Sequence, residues 1–71
     1  MNPHLLLQAC FEEALGHLPS AGERWDSLSQ IRLLAAIEAE FQLQLQPADI
    51  LQLDSPERVQ ALLKSLGIQL P

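Results

Sequence analysis
The residues whose types and order could do chemistry together are Trp25, Asp26, Ser27 and Leu28, where a breaker-rich stretch gives way to an apolar helical pattern. A helix start leaves backbone N–H groups unpaired and carries the positive end of the helix dipole. A serine hydroxyl placed there is reachable by a modifying enzyme, and a phosphodiester formed on it would sit in a field that favours anions. Asp26 beside it could orient that hydroxyl or help a modifying enzyme place a metal ion. The same geometry has a plainer use. Ser27 followed by Gln30 fits a capping box, in which hydroxyl and carboxamide satisfy free N–H groups, and serine is among the residues that caps select most strongly.

The other reactive side chains read as structural. Cys10 lies on a helical apolar stripe with no ligand partners at a useful spacing, which points to a core thiol. His4 and His17 stand near opposite ends of one helical segment, too far apart to share a metal. Glu38 and Glu40 differ by two positions and point in different directions, so they do not form an acid/base pair. Trp25 is expected to pack its ring beneath the loop, with its N–H to water or a carbonyl. Arg32 lies just over one turn beyond Ser27 and reads as a solvated side chain or a partner contact.

The elements that must position Ser27 follow from start and stop signals. Asn2 and Pro3 open a first helix that Gly16 ends, with Leu7, Cys10, Phe11, Ala14 and Leu18 at helical spacing. Pro19 and Gly22 break the following stretch. A second helix is predicted from Ser27 to about Phe41. Its apolar positions Leu28, Ile31, Leu33, Leu34, Ile37 and Phe41 cover more than half its circumference, leaving Ser29, Arg32, Ala36 and Glu40 for solvent. Gln42 to Gln46 alternates polar and apolar like a strand, but it has no second strand to pair with. It is read as an extended link with Leu43 and Leu45 turned inward. Pro47 opens a short helix to about Leu53. Asp54 or Ser55 caps a last helix in which Val59, Leu62, Leu63 and Leu66 repeat at apolar spacing, with Lys64 in the final turn and Gly67 beyond. The predicted fold is all-α, a small bundle of three main helices plus one short helix.

Composition narrows the function classes. Seventy-one residues make one domain (1–71), and a chain of that size hides only about 60% of its unfolded surface. Leucine and alanine dominate its apolar residues, which favours helices over sheets. Nine acidic residues against four basic ones give a net charge of −5, and Arg24, Arg32, Arg58 and Lys64 are scattered singly. That excludes an electrostatic grip on nucleic acid, including by a helix-turn-helix, and gives no hold on an anionic membrane. Protein partners suit an acidic domain better. A single cysteine, and an N-terminus with neither a basic start nor a long apolar run, point to a cytoplasmic protein. No nucleophile–base pair or cleft-forming length argues for an enzyme.

The segment WDSLSQIRLLAAIEAEFQLQLQPADILQLDSPERVQALLKSLG resembles the acyl and peptidyl carrier protein family over roughly residues 24 to 67. The resemblance is carried by Asp26-Ser27-Leu28 opening a helix, then Ile31, Leu33, Leu34 and Ile37, with Glu38, Glu40 and Phe41 at its end. A short helix from Pro47 to Leu53 and a final one from Ser55 to Leu66 complete it. It implies a four-helix carrier-type bundle whose motif serine, Ser27, receives phosphopantetheine from coenzyme A, with Asp26 and Leu28 flanking the attachment. The implied partners are a magnesium-using phosphopantetheinyl transferase and the acyl- or aminoacyl-loading and processing enzymes. Such a carrier works as a monomer that delivers a thioester and is not an enzyme itself. Ser29, Arg32, Ala35 and Ala39 occupy partner-facing positions often acidic or methionine in carriers for fatty acid synthesis. Their types here favour a dedicated carrier of a polyketide, nonribosomal peptide or similar pathway. The competing reading is a small helical interaction domain with Ser27 only as a helix N-cap.

Overall fold
The structure is a computed structural model, and it describes residues 2–70. Three α-helices, α1 (Pro3–Leu15), α2 (Ser27–Phe41) and α3 (Pro56–Ser65), are joined by loops, with a short 3-10 helix (Pro47–Gln52) between α2 and α3. The all-α bundle read from the sequence is the fold observed.

Each helix begins and ends for a local reason. The Asn2 side chain accepts the His4 N–H at 2.8 Å, and Pro3 fills a first-turn position whose N–H would have no partner. Gly16 then adopts φ 82°, which costs glycine nothing, and donates to the Glu12 carbonyl at 2.9 Å. Ser55 caps α3 by accepting the Arg58 N–H at 3.3 Å, and Pro56 follows it. At the far end Lys64 sits in the last turn and Gly67 turns left-handed at φ 91°. The helix is finished by Ser65, so Leu66 lies past it and is 48% exposed rather than part of the apolar stripe. Leu18 likewise lies beyond α1 and is exposed.

The extended link after α2 solves its hydrogen-bonding problem with a side chain. Gln42 takes a left-handed backbone at φ 53° and ends the helix. The Leu45 N–H then donates to Glu38 of α2 at 2.9 Å, so no second strand is needed. Leu45 is buried and Leu43 packs against the core, both inward as their spacing suggests. Asp49 closes the start of the 3-10 helix by accepting the Gln46 N–H at 2.8 Å.

The core draws on all three α-helices and the links beside them. Leu7, Cys10, Phe11 and Ala14 come from α1, Leu33, Ala36 and Ile37 from α2, and Val59, Leu62 and Leu63 from α3, with Leu45 and Leu53 from the links. Burying side chains of this kind supplies roughly 1.5–3 kcal/mol for each large one, which is what holds so short a chain together. Cys10 is fully buried, and that burial, with Glu40 and Glu13 adding to it, pushes its thiol up to about 12.

The azimuth of α2 differs from the one its sequence suggests. Leu28 and Ile31 are 55% and 54% exposed, whereas Ala36 is buried. The helix buries the arc of Leu33, Ala36 and Ile37, with α1 as its main helical neighbour, and leaves Leu28 and Ile31 outside. An apolar pattern that wraps most of a helix does not say which part is covered.

Candidate functional site
The site is built at the head of α2, and its central fact is which residue caps the helix. Asp26 has extended backbone (φ −83°, ψ 177°), and its carboxylate accepts the Ser29 N–H at 2.9 Å. Asp26 is therefore the N-cap, and Ser27 is the first helical residue. The capping role anticipated for Ser27 is corrected accordingly. Aspartate competes for this position as well as serine does, and here it stands one residue earlier, where the chain is still extended.

The consequence for Ser27 is freedom. Its residue is exposed, and its hydroxyl is not spent on a backbone N–H of its own helix. The first intrahelical bond of α2 runs from the Gln30 N–H to the Asp26 carbonyl at 3.0 Å, which leaves the N–H groups of residues 27 to 29 without helical partners. Asp26 takes the one on Ser29. Those of Ser27 and Leu28 stay at the positive end of the helix, where an anion is stabilised. A phosphodiester on the Ser27 oxygen thus fits the donors and the access present there.

The Ser29 backbone N–H, then the Ser29 hydroxyl and, as a smaller contribution, Arg32 hold the Asp26 carboxyl below the usual aspartate range. Asp26 is accordingly ionised at neutral pH and fixed in its capping pose. Leu28, Arg32, Ala35 and Ala39 are exposed, and together with Ile31 they form one stripe along α2. Ser29 is only half-exposed, because its backbone is drawn into the cap.

The segment before α2 is anchored by residues that the sequence does not bring together. The Trp25 indole N–H donates to the Leu53 carbonyl, and its ring meets Phe11 edge-on at 5.9 Å between centroids. The indole thus lies under the loop with its N–H on a carbonyl, as its amphipathic character suggests. The Trp25 backbone N–H donates to the Asp54 carbonyl at 3.3 Å. Arg24 donates to the Asp54 carboxylate, which also accepts from Arg58 at 3.1 Å. Sequence reasoning had Asp54 only as a possible cap. No local spacing links it to Arg24, thirty positions away, and only the fold supplies that pairing.

Further back in the same loop, His17 pairs with Glu23 at 2.7 Å, and Glu23 also accepts the Ser20 N–H at 3.0 Å. His4 meets Gln8 at 2.9 Å, so the two histidines serve different neighbours. Among the described residues no group of three or more His, Cys, Asp or Glu side chains could hold a metal ion. Nor is any described helix long and apolar enough to cross a membrane.

The family profile of the phosphopantetheine attachment site matches residues 25–63, more than half of the chain. The match begins at Trp25, takes in Ser27 and the whole of α2, and ends in α3. No curated protein and no solved structure gives a significant match. With a helical bundle and an accessible α2 head lying inside the matched region, the chain belongs to the phosphopantetheine attachment site family, whose members are non-catalytic carriers of a covalently bound phosphopantetheine group.

Proposed function
We infer that Ser27 is the attachment residue and that the 71 residues act as one monomeric carrier domain. The observation that carries this reading is the division of labour at the head of α2: Asp26 does the capping, and the exposed Ser27 hydroxyl is left free. In the modification, the Ser27 oxygen forms a bond to the phosphorus that bears the pantetheine of coenzyme A. The pyrophosphate P–O bond breaks, the nucleotide half leaves, and the hydroxyl proton passes to a base of the transferase. When attached, the group supplies a terminal thiol on a flexible arm, which holds an acyl or aminoacyl cargo as a thioester.

The chain's own residues serve that chemistry by placement. Asp26 fixes the first turn, so the Ser27 oxygen projects from a defined position rather than a frayed end. The N–H groups of Ser27 and Leu28 favour the phosphodiester anion once it forms. Carriage raises the effective concentration of the cargo at each partner enzyme, which is the benefit of a tether. The stripe of Leu28, Ile31, Arg32, Ala35 and Ala39 is the surface that partners would meet, with Ser29 at its edge. It presents apolar and basic groups and no carboxylate. That supports loading and processing enzymes of a dedicated cytoplasmic pathway, of polyketide or nonribosomal peptide type, over the housekeeping synthesis of fatty acids.

The test is an intact-mass measurement after incubation with coenzyme A, magnesium and a broad-specificity phosphopantetheinyl transferase. The wild-type chain is expected to gain a single phosphopantetheine, and Ser27→Ala none. An unchanged wild-type mass, with a control carrier modified in the same tube, would contradict the assignment. It would favour a plain helical interaction domain instead.

A further inference from the structure
We propose that Asp54 is a positioning residue for the modification of Ser27, acting through Arg24, because it stitches the segment before α2 to the head of α3. The proposal rests on the assignment of Ser27 as the attachment residue. The Asp54 side chain is only 9% exposed, and so dry a carboxylate is costly unless it is paired. Its Oδ2 accepts from both Arg24 and Arg58, yet its Oδ1 is buried with no hydrogen-bond partner. An apolar side chain of similar volume would avoid that desolvation, so stability alone is a poor reason for this arrangement. Fixing the register of two segments is a better one.

The register is fixed three times over. Besides the Arg24–Asp54 pair, the Trp25 backbone N–H donates to the Asp54 carbonyl and the Trp25 indole N–H to the Leu53 carbonyl. Arg24-Trp25 is thereby matched against Leu53-Asp54, and Leu53 is itself fully buried in the core. The next residue, Asp26, caps α2, and Ser27 follows it. The Cα atoms of α2 and α3 do not come within 8 Å of each other, so the two helix heads are joined through this seam rather than by close approach of the helices' own backbones. A shift at the seam would be passed to the hydroxyl over two or three residues.

Arg24 and Arg58 share one carboxylate oxygen but do different work. Arg58 belongs to α3, four residues after Asp54, and holds the carboxylate to its own helix. Arg24 belongs to the segment that leads into α2. Both side chains are well exposed, at 69% and 50%, so either can be truncated without leaving a cavity. Only the loss of Arg24 should move Ser27.

The experiment compares phosphopantetheine transfer to the wild-type chain, Arg24→Ala, Arg58→Ala and Arg24→Lys, with kcat and KM measured separately. Arg24→Ala is expected to lower kcat about five- to tenfold while KM stays within about twofold, because the transferase meets the same α2 surface but a displaced hydroxyl. Arg58→Ala is expected to match wild type, and Arg24→Lys to recover part of the loss. A merely structural role gives another signature. An unfolded fraction withdraws substrate, which raises the apparent KM and leaves kcat at saturation unchanged. Amide exchange at Trp25 reads the seam without the transferase, and it should quicken in Arg24→Ala but not in Arg58→Ala. Wild-type kcat in Arg24→Ala, equal losses of kcat in the two alanine variants, or an effect on KM alone would overturn the proposal. Failure of the wild-type chain to accept phosphopantetheine beside a working control would overturn the Ser27 assignment beneath it, whereas normal transfer to Arg24→Ala overturns only the role of Asp54.

Discussion

The same dipeptide, Asp-Ser, stands at the head of α2 and at the head of α3, and the two copies divide their tasks in opposite ways. At α2 the aspartate caps, and both residues are exposed, so the serine hydroxyl is available. At α3 the serine caps, and both residues are buried, so its hydroxyl is spent on the Arg58 N–H while Asp54 pairs with two arginines. The difference is a one-residue shift in where the chain turns helical. Ser55 is followed by Pro56, which suits the first helical position and sets Ser55 back as the cap. Leu28 imposes no such requirement after Ser27. A residue pair therefore does not carry a function by its composition. Its register against the helix start decides whether the oxygen is spent on a cap or left free.

Exchanging the sensitivity of the two serines is the strongest way to break this comparison. Ser27→Ala should abolish modification and leave the urea midpoint close to wild type, since an exposed oxygen outside the capping bond is removed. Ser55→Ala should keep modification and lose about 1 kcal/mol of stability, the usual cost of a deleted cap. Loss of modification in both variants, or of stability in neither, would erase the distinction.

Thiol counting gives the next largest effect. Burial holds Cys10 in the unreactive thiol form, so the native apo chain should not react with a maleimide. Modification should add one fast-reacting thiol, that of the arm, and denaturant should then expose Cys10 as a second. A reactive Cys10 in the native apo chain would show that the α1–α2 seam is open.

The smallest effect lies in the loop between α1 and α2. The hydrogen bond to Glu23 and its charge raise His17 above the ordinary 6.5 of a histidine. The Ser20 N–H, followed by His17, lowers Glu23. A raised histidine contributes stability that is fully present below about 6.5 and is lost as pH rises through its folded value. The lowered glutamate contributes above its ordinary range and loses that only as pH falls into acid. The clip should thus hold from mildly acidic pH up to the raised His17 value. The His17 ring protons should titrate with a midpoint above 6.5, and Glu23→Gln should bring it down. His17 is exposed and Glu23 lies at the surface, partly covered, so the effect on overall stability should be slight.

Local chemistry made the helices legible. Asn2, Pro3 and Gly16 mark α1, and Ser55, Pro56 and Gly67 mark α3, because caps and turns depend on neighbours in sequence. The outward turn of Leu28 and Ile31 was not legible, because an apolar residue reads alike whether it faces a core or a partner. Nor was the seam of Arg24, Trp25, Leu53 and Asp54, whose pairings exist only after the chain has folded back on itself. Of the candidate site, the motif and the order of helices were enough to single out Ser27 and its neighbours as the residues to test. What was missed is what holds them, together with the fact that Asp26, and not Ser27, closes the helix end.

Fragmentation mass spectrometry of the modified chain tests the account most directly, since it reports which oxygen bears the phosphodiester. The whole modification is expected on Ser27, with Ser20, Ser29, Ser55 and Ser65 bare. Phosphopantetheine found on Ser29 or Ser55 would contradict it, because Ser29 is held by the Asp26 cap of α2 and the Ser55 hydroxyl is spent on the cap of α3.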